Sequence, residues 1–444
     1  MESYVKEYSY PNGEIQRVQI VTLDDWSQLN FWKPAPSEHM LNCVADIYER
    51  YLVPACPWIF GNMVLFRLPE DVEVPFSWET EYGTVGDDLA AASAAMRGGV
   101  KVSKGKPIFS DPQVEAFWKK LEERNCIRIV RGKLPVTTII PVSNQAGYMT
   151  AAEKGAKLKV NASFFIMDRF DCATVYDQVS TPFGLRVKDG VVESPPLFGR
   201  EALLVRDEGV CVEPVDVRDL ELVIGGKAYK HGRNCTIYSR PERRRTPGSK
   251  GTKLVIIGCR VAAVSNARHV DIPASGFVLC LPDICDMQPG AQVIFRGLED
   301  VWFGIQVGNS IIRNGEKTMH FISRFYNIRK LQPIPFPPSL YPMDFVNSRA
   351  ARIALGANEE GKPMLLWAEG ASKGIYIPGH DSAGATLAQM ADICAEAGMV
   401  NAVNLDGGGS AQILLSNRRS LRISDRNPDD TEAERPVPMG LIVK

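Results

Sequence analysis

Residues 400–411 read VNAVNLDGGGSA, and this stretch decides how the end of the chain is interpreted. Val400–Leu405 is predicted to be a strand, and the glycines after it to form a tight turn. Apolar residues at helical spacing over Ser382–Ala397 predict a helix before this strand, which Gly398 would end. Ile413–Leu415 and residues 438–443 predict two further strands. A helix among neighbouring strands indicates a layered α/β or α+β fold.

Working back from this block, short β-branched runs begin near residue 134 and predict a β-rich sheet. The predicted strands are 136–140, 159–161, 203–205, 254–257, 276–281 and 292–295. Before residue 130 the chain reads as mixed α/β, with a strand at 16–21 and a helix at 114–124. We therefore expect a mixed α+β protein: a β-rich layered domain with flanking helices over residues 131–444, and an N-terminal α/β extension of unknown role over residues 1–130.

The overall composition is that of a folded globular protein. Hydrophobic residues make up 45% of the chain and charged residues 23%, which excludes disordered and fibrous classes. The net charge of −1 gives no general attraction for nucleic acid or an anionic membrane, so neither partner is expected. Because neither a signal peptide nor a spanning segment is evident, the default expectation is a cytoplasmic location. Homo-oligomerisation is left open.

The turn 406–410 could be chemical or structural on its own residues. Three successive glycines suit a backbone that takes positive φ or lets a ligand approach closely, and their N–H groups can form an anion-binding nest. Asp406, at the end of a buried strand, could act as acid, base or nucleophile. The alternative is a tight turn in which Asp406 caps its own loop.

Two other segments carry candidate binding groups. Asn161 and Ser163 follow a predicted strand and precede two aromatic residues, Phe164 and Phe165, a combination typical of sugar sites but also of core and turn. Arg352 stands in an otherwise apolar strand and therefore needs a partner. That partner could be a structural carboxylate such as Glu369, or a substrate phosphate.

The chain from about residue 135 to 444 resembles the phosphodiester glycosidase family. Five segments in order carry the resemblance: VNASFF at 160–165, PFGLR with Asp-Gly at 182–190, IIRNG at 311–315, ARIALG at 351–356, and the 400–411 stretch followed by RPVP at 435–438. The first 130 residues lie outside it.

The resemblance implies a glycoside hydrolase that cleaves a sugar-1-phosphodiester, such as an N-acetylglucosamine-1-phosphodiester, or a related glycoside and releases free sugar. A carbohydrate or sugar-phosphodiester is thus the expected partner, and no cofactor or metal is expected. Asp406 and Glu369 are the implied catalytic carboxylates. The implied substrate-binding residues are Asn161, Ser163, Phe165, Arg352, Asn404, Gly407, Gly408, Gly409, Ser410 and Arg435.

The sequence departs from the family pattern at several of these positions. Glu369 stands where the family has an aspartate, Ile353 replaces a threonine, and Ala162-Ser163 replaces a pair of glycines. Such changes favour a different substrate.

Three alternatives remain open. One is a non-catalytic carbohydrate-binding or structural module of the same fold. Another is a metal-dependent phosphodiesterase, for which only His380-Asp381 resembles a ligand pair. Finally, the basic segment 240–251 is either a solvated loop or a surface for a polyanion.

Overall fold

A computed structural model of the chain describes residues 1–444 except 35–39, 48, 50–60, 77, 81–82, 86–87, 131–133, 142–145, 167–171, 173, 198–199, 241–242, 319–347, 372–375 and 428. The described part is rich in strands and has few helices. Its α-helices are α1 Met40–Ile47, α2 Asp88–Gly99, α3 Pro112–Glu123 and α4 Leu387–Glu396.

Strands make up most of the regular structure in the described ranges. In chain order they are β1 Glu2–Ser9, β2 Ile15–Thr22, β3 Asn30–Trp32, β4 Gly61–Phe66, β5 Trp78–Thr80, β6 Gly83–Val85, β7 Val100–Ser103, β8 Lys106–Phe109, β9 Ile127–Val130, β10 Leu134–Pro141, β11 Leu158–Asn161, β12 Arg186–Lys188, β13 Val191–Ser194, β14 Glu201–Arg206, β15 Gly209–Pro214, β16 Glu221–Ile224, β17 Lys227–Lys230, β18 Thr236–Ser239, β19 Lys253–Ile257, β20 Arg260–Ser265, β21 Gly276–Cys280, β22 Val293–Arg296, β23 Phe303–Ile305, β24 Ser310–Arg313, β25 Glu316–Lys317, β26 Arg352–Asn358, β27 Pro363–Ala368, β28 Met399–Asn404, β29 Ile413–Leu415, β30 Arg418–Arg419 and β31 Gly440–Val443.

A seven-stranded antiparallel sheet positions the glycine-rich turn. Its order is β1-β2-β27-β26-β28-β24-β25, so β28, which leads into the turn, lies beside β26 near the centre. Successive side chains of a strand point to opposite faces. Accordingly Ala402 packs with Met390 of α4 in one core cluster, whereas Val403 and Leu405 join a second cluster on the opposite face.

A second sheet, ordered β3-β31-β11-β29-β30, packs against that opposite face. Leu158, Val160, Ile413 and Leu441 all belong to the same cluster as Val403. The strand after the turn, β29, pairs antiparallel with β11. The chain therefore leaves one sheet at residue 404 and enters the other at residue 413, so the turn lies between the two layers.

The N-terminal strands take part in both of these sheets. β2 pairs with β27, and β3 pairs with β31 near the end of the chain. The β-rich character is confirmed, but the mixed α+β label and the separate N-terminal extension are not. The boundary at residue 130 stays a prediction, although strands of the first 32 residues lie in sheets that the C-terminal part completes.

The other described sheets form further layers. β4 lies between the parallel β10 and the antiparallel β9, with α2 and α3 packed on this sheet through Phe66, Phe117 and Trp118. The sheets β13-β12-β23-β14-β15, β17-β16-β22 and β18-β21-β19-β20-β6-β5 share a core through residues such as Leu204, Leu222 and Phe277, and β7 and β8 form a hairpin. None of the described helices is long and apolar enough to cross a membrane.

The elements predicted from periodicity are all present. β2, β10, β11, β14, β19, β21, β22, β28, β29 and β31 cover the predicted strands, and α3 and α4 the predicted helices. Helix α4 begins five residues later than predicted because Thr386 caps it: its hydroxyl accepts from the Gln389 N–H while the Gln389 side chain bonds back. The helix ends before Gly398, which has φ +89°.

Candidate active site

The turn 406–410 is fixed through its backbone to two neighbouring segments. The Leu405 N–H donates to the carbonyl oxygen of Ile353 at 2.8 Å, and the Gly408 N–H donates to that of Ala351 at 2.8 Å. On the other side, the Asp406 N–H donates to the carbonyl oxygen of Ala162 at 2.9 Å. The turn is therefore held between the layer of β26 and the layer of β11.

Each glycine of the turn has its own structural reason. Gly408 has φ +60°, which side chains adopt only at a cost. A Cβ on Gly407 would lie 2.6 Å from the carbonyl oxygen of Ala351. A Cβ on Gly409 would lie 2.2 Å from Oδ2 of Asp425 and 2.3 Å from Nη2 of Arg435. Gly408 is therefore needed for its positive φ, whereas Gly407 and Gly409 are needed because neighbouring atoms leave no space for a Cβ.

Asp406 is buried, and the pKa of its carboxyl is raised. Burial raises the pKa of its carboxyl to about 7, against the lowering effects of the Ser410 hydroxyl, the Arg435 cation and the Gly407 N–H, while the charge of Asp425 raises it further. Only 7% of the residue is exposed. A carboxyl with a pKa near neutrality can both donate and accept a proton at physiological pH.

Asp425 holds Arg435 beside this carboxyl. Oδ2 of Asp425 accepts a hydrogen bond from Nε of Arg435 at 2.9 Å and lies 2.7 Å from Nη2 in the same ion pair. Both side chains are about 14% exposed or less, so solvent screens the pair weakly. Sequence reasoning found Arg435 but missed Asp425, which stands ten positions before it in a polar loop without periodicity.

Three buried polar atoms of the site lack a hydrogen bond of normal geometry to a described residue, although the Ser410 hydroxyl is close enough to the Asp406 carboxyl to lower its pKa. They are Oδ1 of Asn404, Oδ2 of Asp406 and Oγ of Ser410. Buried polar groups are normally paired, and unpaired ones occur at functional sites. The lone pairs of these three atoms can accept hydrogen bonds from ligand hydroxyls or amides.

Asn161 acts on the turn with both ends of its amide. Its Nδ2 donates to the carbonyl oxygen of Asp406 at 2.8 Å, and its Oδ1 accepts from the Gln412 N–H at 2.9 Å. The residue is fully buried. The structure thus places this predicted sugar-binding residue as a clamp across residues 406–412.

Ser163 and Phe165 lie shortly after β11, the strand of the second sheet that contacts the turn. The Ser163 hydroxyl donates to the carbonyl oxygen of Phe183 at 2.8 Å. Phe165 is partly buried and packs on a small cluster that contains Met149 and Leu414. No described contact joins either side chain to the Asp406 carboxyl.

Arg352 is buried at the start of β26. Its Nε donates to the carbonyl oxygen of Ala385 at 3.0 Å, and its Nη2 donates to that of Ser348 at 2.8 Å. Burial lowers the pKa of the guanidinium to about 10. These bonds tie β26 to the segment that precedes α4.

Glu369 is buried directly after β27, and both of its oxygens accept hydrogen bonds. Oε1 accepts from the Arg422 N–H at 2.8 Å, whereas Oε2 accepts from the Ser382 hydroxyl and lies 3.4 Å from Nη1 of Arg17. Sequence reasoning found none of these three partners. Arg17 stands 352 residues away from Glu369, and no local pattern connects them.

One loop touches both predicted catalytic regions. Arg422 donates its N–H to Glu369, Ser424 donates its hydroxyl to the carbonyl oxygen of Gly408 at 3.0 Å, and Asp425 binds Arg435. Residues 422–425 therefore join the Glu369 end of β27 to the glycine-rich turn.

The remaining sequence candidates have local contacts. His380 is exposed, and its Nδ1 lies 3.3 Å from Oδ1 of Asp381. In the described ranges no group of three or more His, Cys, Asp and Glu side chains is placed to hold a metal ion. In the basic segment 240–251, Arg240 is buried and donates to the carbonyl oxygen of Ile272 at 2.9 Å, and Arg245 pairs with Asp271 at 2.7 Å. Arg240 is therefore part of the packed structure, whereas the half-exposed Arg245 stays compatible with the predicted solvated loop.

Comparison with known proteins identifies a family match over the C-terminal part of the chain. Residues 281–444 match the phosphodiester glycosidase family model. The resemblance is confirmed for this part of the chain. The matched range contains Asp406, Glu369, Arg352 and Arg435, whereas Asn161 and Ser163 lie before this range.

Two curated relatives cover a short stretch. N-acetylglucosamine-1-phosphodiester alpha-N-acetylglucosaminidase from Mus musculus is 36% identical over 86 residues, and the Homo sapiens protein of the same name is 35% identical over 86 residues. Each match covers 19% of this chain and only 15% of the relative.

A solved structure of the zebrafish catalytic domain of that name is also similar. It is 12% identical, and the match covers 100% of this chain and 82% of that chain with a TM-score of 0.39.

Proposed function

We propose that this protein is a phosphodiester glycosidase-like hydrolase that cleaves a sugar-1-phosphodiester or a related glycoside and releases free sugar. The observation that carries the proposal is the Asp406 carboxyl. It has a pKa of about 7, an oxygen without a described partner, and an arginine beside it. The match of residues 281–444 to the phosphodiester glycosidase family supports the same reaction class.

Asp406 is the proton-transferring residue in this proposal. As the acid it protonates the departing oxygen, and as the base it takes a proton from the attacking water. A phosphate leaving group depends less on protonation than an alcohol, so a nearby cation stabilises much of the charge that develops on it. Arg435 supplies that cation, and Asp425 fixes its orientation.

The sugar is bound by the acceptors around the turn. Oδ1 of Asn404 and Oγ of Ser410 take part because they are buried and have no described partner. The Gly409 N–H can add a donor to this set, whereas the Gly408 N–H already donates to the carbonyl oxygen of Ala351 and the Gly407 N–H to the Asp406 carboxyl. Phe165 would stack on the sugar only if the substrate extends toward β29.

Asn161, Ser163, Arg352 and Glu369 have positioning roles in this proposal. Their hydrogen-bonding atoms are already engaged with the protein: Asn161 with the turn, Arg352 with residues 348 and 385, and Glu369 with Ser382 and Arg422. A group that must first give up its internal partners costs free energy when it binds substrate.

The test incubates the protein with a panel of sugar-1-phosphodiesters, including UDP-sugars, and then with aryl glycosides, and measures released free sugar. Wild type is expected to release sugar from at least one, and Asp406→Asn to lose at least a hundredfold in kcat, since acid–base groups contribute about 10²–10⁴-fold. Asp286→Asn, an exposed aspartate that binds Gln288, is the matched control. Sugar binding without turnover by wild type would instead identify a carbohydrate-binding module.

A further inference from the structure

Arg186 is a buried cation outside the site described above. It opens β12 and is 5% exposed, and neither its Nε nor its Nη1 has a hydrogen-bond partner in the part of the chain that the structure describes. Burial lowers the pKa of this guanidinium. An arginine remains charged even so, and a buried charge without hydrogen bonds is costly.

Three further titratable side chains lie along β13, the strand that pairs with β12. Arg186 is paired across the sheet with Ser194. The preceding residue, Glu193, lies 3.8 Å from Nζ of Lys33. Cys259 donates its thiol to the carbonyl oxygen of Val192 at 3.4 Å. Three successive residues of β13, 192–194, therefore lie next to Cys259, Lys33 and Arg186, respectively. We call Arg186, Lys33, Glu193 and Cys259 the β13 cluster.

The β13 cluster has an excess positive charge. Arg186 is near enough to Lys33 to lower the pKa of its ammonium group, in addition to the larger effect of burial. Burial raises the pKa of the Cys259 thiol, so Cys259 stays neutral at physiological pH. Two cations thus face a single carboxylate, that of Glu193.

The cluster is accessible from the surface on one side. The side chain of Lys33 is 50% exposed and that of Glu193 is 34% exposed, whereas Arg186 is buried.

We propose that the β13 cluster is a binding site for a small tetrahedral oxyanion, such as phosphate or a phosphate ester, held by Arg186 and Lys33. Nε of Arg186 has no described partner and can donate to one oxygen of the anion, while the ammonium of Lys33 can donate to another. A tetrahedral oxyanion carries enough oxygens to accept from both cations at once, and such charge-assisted hydrogen bonds are strong. One bound anion also balances the excess charge.

The experiment measures inorganic phosphate binding by calorimetry, together with the thermal unfolding midpoint, at constant ionic strength. It uses an Arg435→Met background, so that the proposed active site contributes no phosphate binding and the two proposals fail independently. In this background we expect one phosphate per chain and a midpoint that rises with phosphate concentration. Adding Arg186→Met should abolish both effects and raise the midpoint in phosphate-free buffer, because it removes a buried charge with two nitrogens that have no described partner.

Two further variants keep the test decisive. Lys33→Met leaves Arg186 in place and should weaken phosphate binding about tenfold, the loss that corresponds to about 1.4 kcal/mol. Arg296→Met removes an exposed strand arginine that lies 3.5 Å from Glu221 and should leave binding unchanged. The proposal is overturned if the Arg435→Met protein binds no phosphate, or if it binds phosphate equally well with and without Arg186.

Discussion

Oδ2 of Asp425 accepts a hydrogen bond from Nε of Arg435 at 2.9 Å and lies 2.7 Å from Nη2 in the same ion pair, next to the Asp406 carboxyl. Because the pair is mostly buried, Asp425 fixes where the guanidinium points. Asp425→Asn should therefore raise KM for a phosphodiester substrate about tenfold, or about 1.4 kcal/mol, with a smaller effect on kcat. Steady-state kinetics measure both constants.

The same substitution has a second consequence for the pH profile. The charge of Asp425 raises the pKa of Asp406, and the charge of Arg435 lowers it. Asp425→Asn removes the first effect and keeps the second, so the limb that Asp406 controls should move to lower pH. A merely structural loss would reduce activity without moving this limb. Asp429→Asn, at an exposed aspartate that binds Thr431, serves as control.

The space at Gly409 is occupied by this ion pair. A Cβ there would lie 2.2 Å from Asp425 and 2.3 Å from Arg435. Gly409→Ala should therefore destabilise the protein by about 1–3 kcal/mol, as overpacking does, and also abolish activity. Denaturant unfolding measures the free-energy change.

Gly408→Ala separates backbone strain from this steric effect. Nothing lies within 4 Å of a Cβ at Gly408, but its φ is +60°. The expected cost is about 1–2 kcal/mol, similar to that of Gly226→Ala at φ +77°, where the space is also open. If Gly409→Ala cost no more than these two variants, the close approach to the ion pair would have no energetic importance.

Asp406 should make stability depend on pH. Its folded pKa of about 7 lies above the ordinary value of 3.8. The folded state thus binds the proton more tightly than the unfolded state, and its contribution to stability is present below about pH 4 and is lost as pH rises through about 7. Asp406→Asn removes this dependence. The difference between the unfolding midpoints of wild type and Asp406→Asn should therefore change between pH 4 and pH 7, and equal slopes would contradict a raised pKa.

Local sequence signals predicted the elements that hold the site but not the contacts between them. The strand at Ile413–Leu415 and the helix stop at Gly398 depend on neighbouring residues, so periodicity and glycine positions revealed them. The late start of α4 has a local sequence signal too, since Thr386 and Gln389 form a capping box. By contrast, the contact of Arg17 with Glu369 joins residues that meet only through the pairing of β2 with β27.

The individual roles within the site were less predictable for the same reason. Asn161 and Asn404 have the same side chain and both end buried strands, yet both ends of the Asn161 amide are hydrogen-bonded within the protein and Oδ1 of Asn404 has no described partner. This difference arises from the crossing of the chain between two sheets at residues 404–413. No property of either residue's neighbours in sequence distinguishes them.

A substitution at Glu369 distinguishes a positioning role of this residue from a catalytic role. Both oxygens accept bonds, from the Arg422 N–H and the Ser382 hydroxyl. Glu369→Gln places an amide N–H₂ group opposite one of these donors, so we expect a loss of about 1–3 kcal/mol in stability and less than about tenfold in kcat. Loss of a catalytic acid–base group would cost about 10²–10⁴-fold. Glu360→Gln, at an exposed glutamate that pairs with Lys362, is the control for both measurements.

Asn161 provides the sharpest test of the clamp. Asn161→Ala leaves the carbonyl oxygen of Asp406 and the N–H of Gln412 without their partner, and each unsatisfied buried group costs about 1–3 kcal/mol. We therefore expect unfolding free energy to fall by about 2–4 kcal/mol.

Asn234 offers the matched control, because its amide makes the same two kinds of bond, to the carbonyl oxygen of Ala228 and from the Lys230 N–H, on an exposed hairpin. Water replaces those bonds in Asn234→Ala, so its stability should change by less than about 1 kcal/mol. A residue that only bound sugar would show the opposite result. Asn161→Ala would then keep full stability and lose affinity alone, and the turn 406–412 would not depend on this amide for its shape.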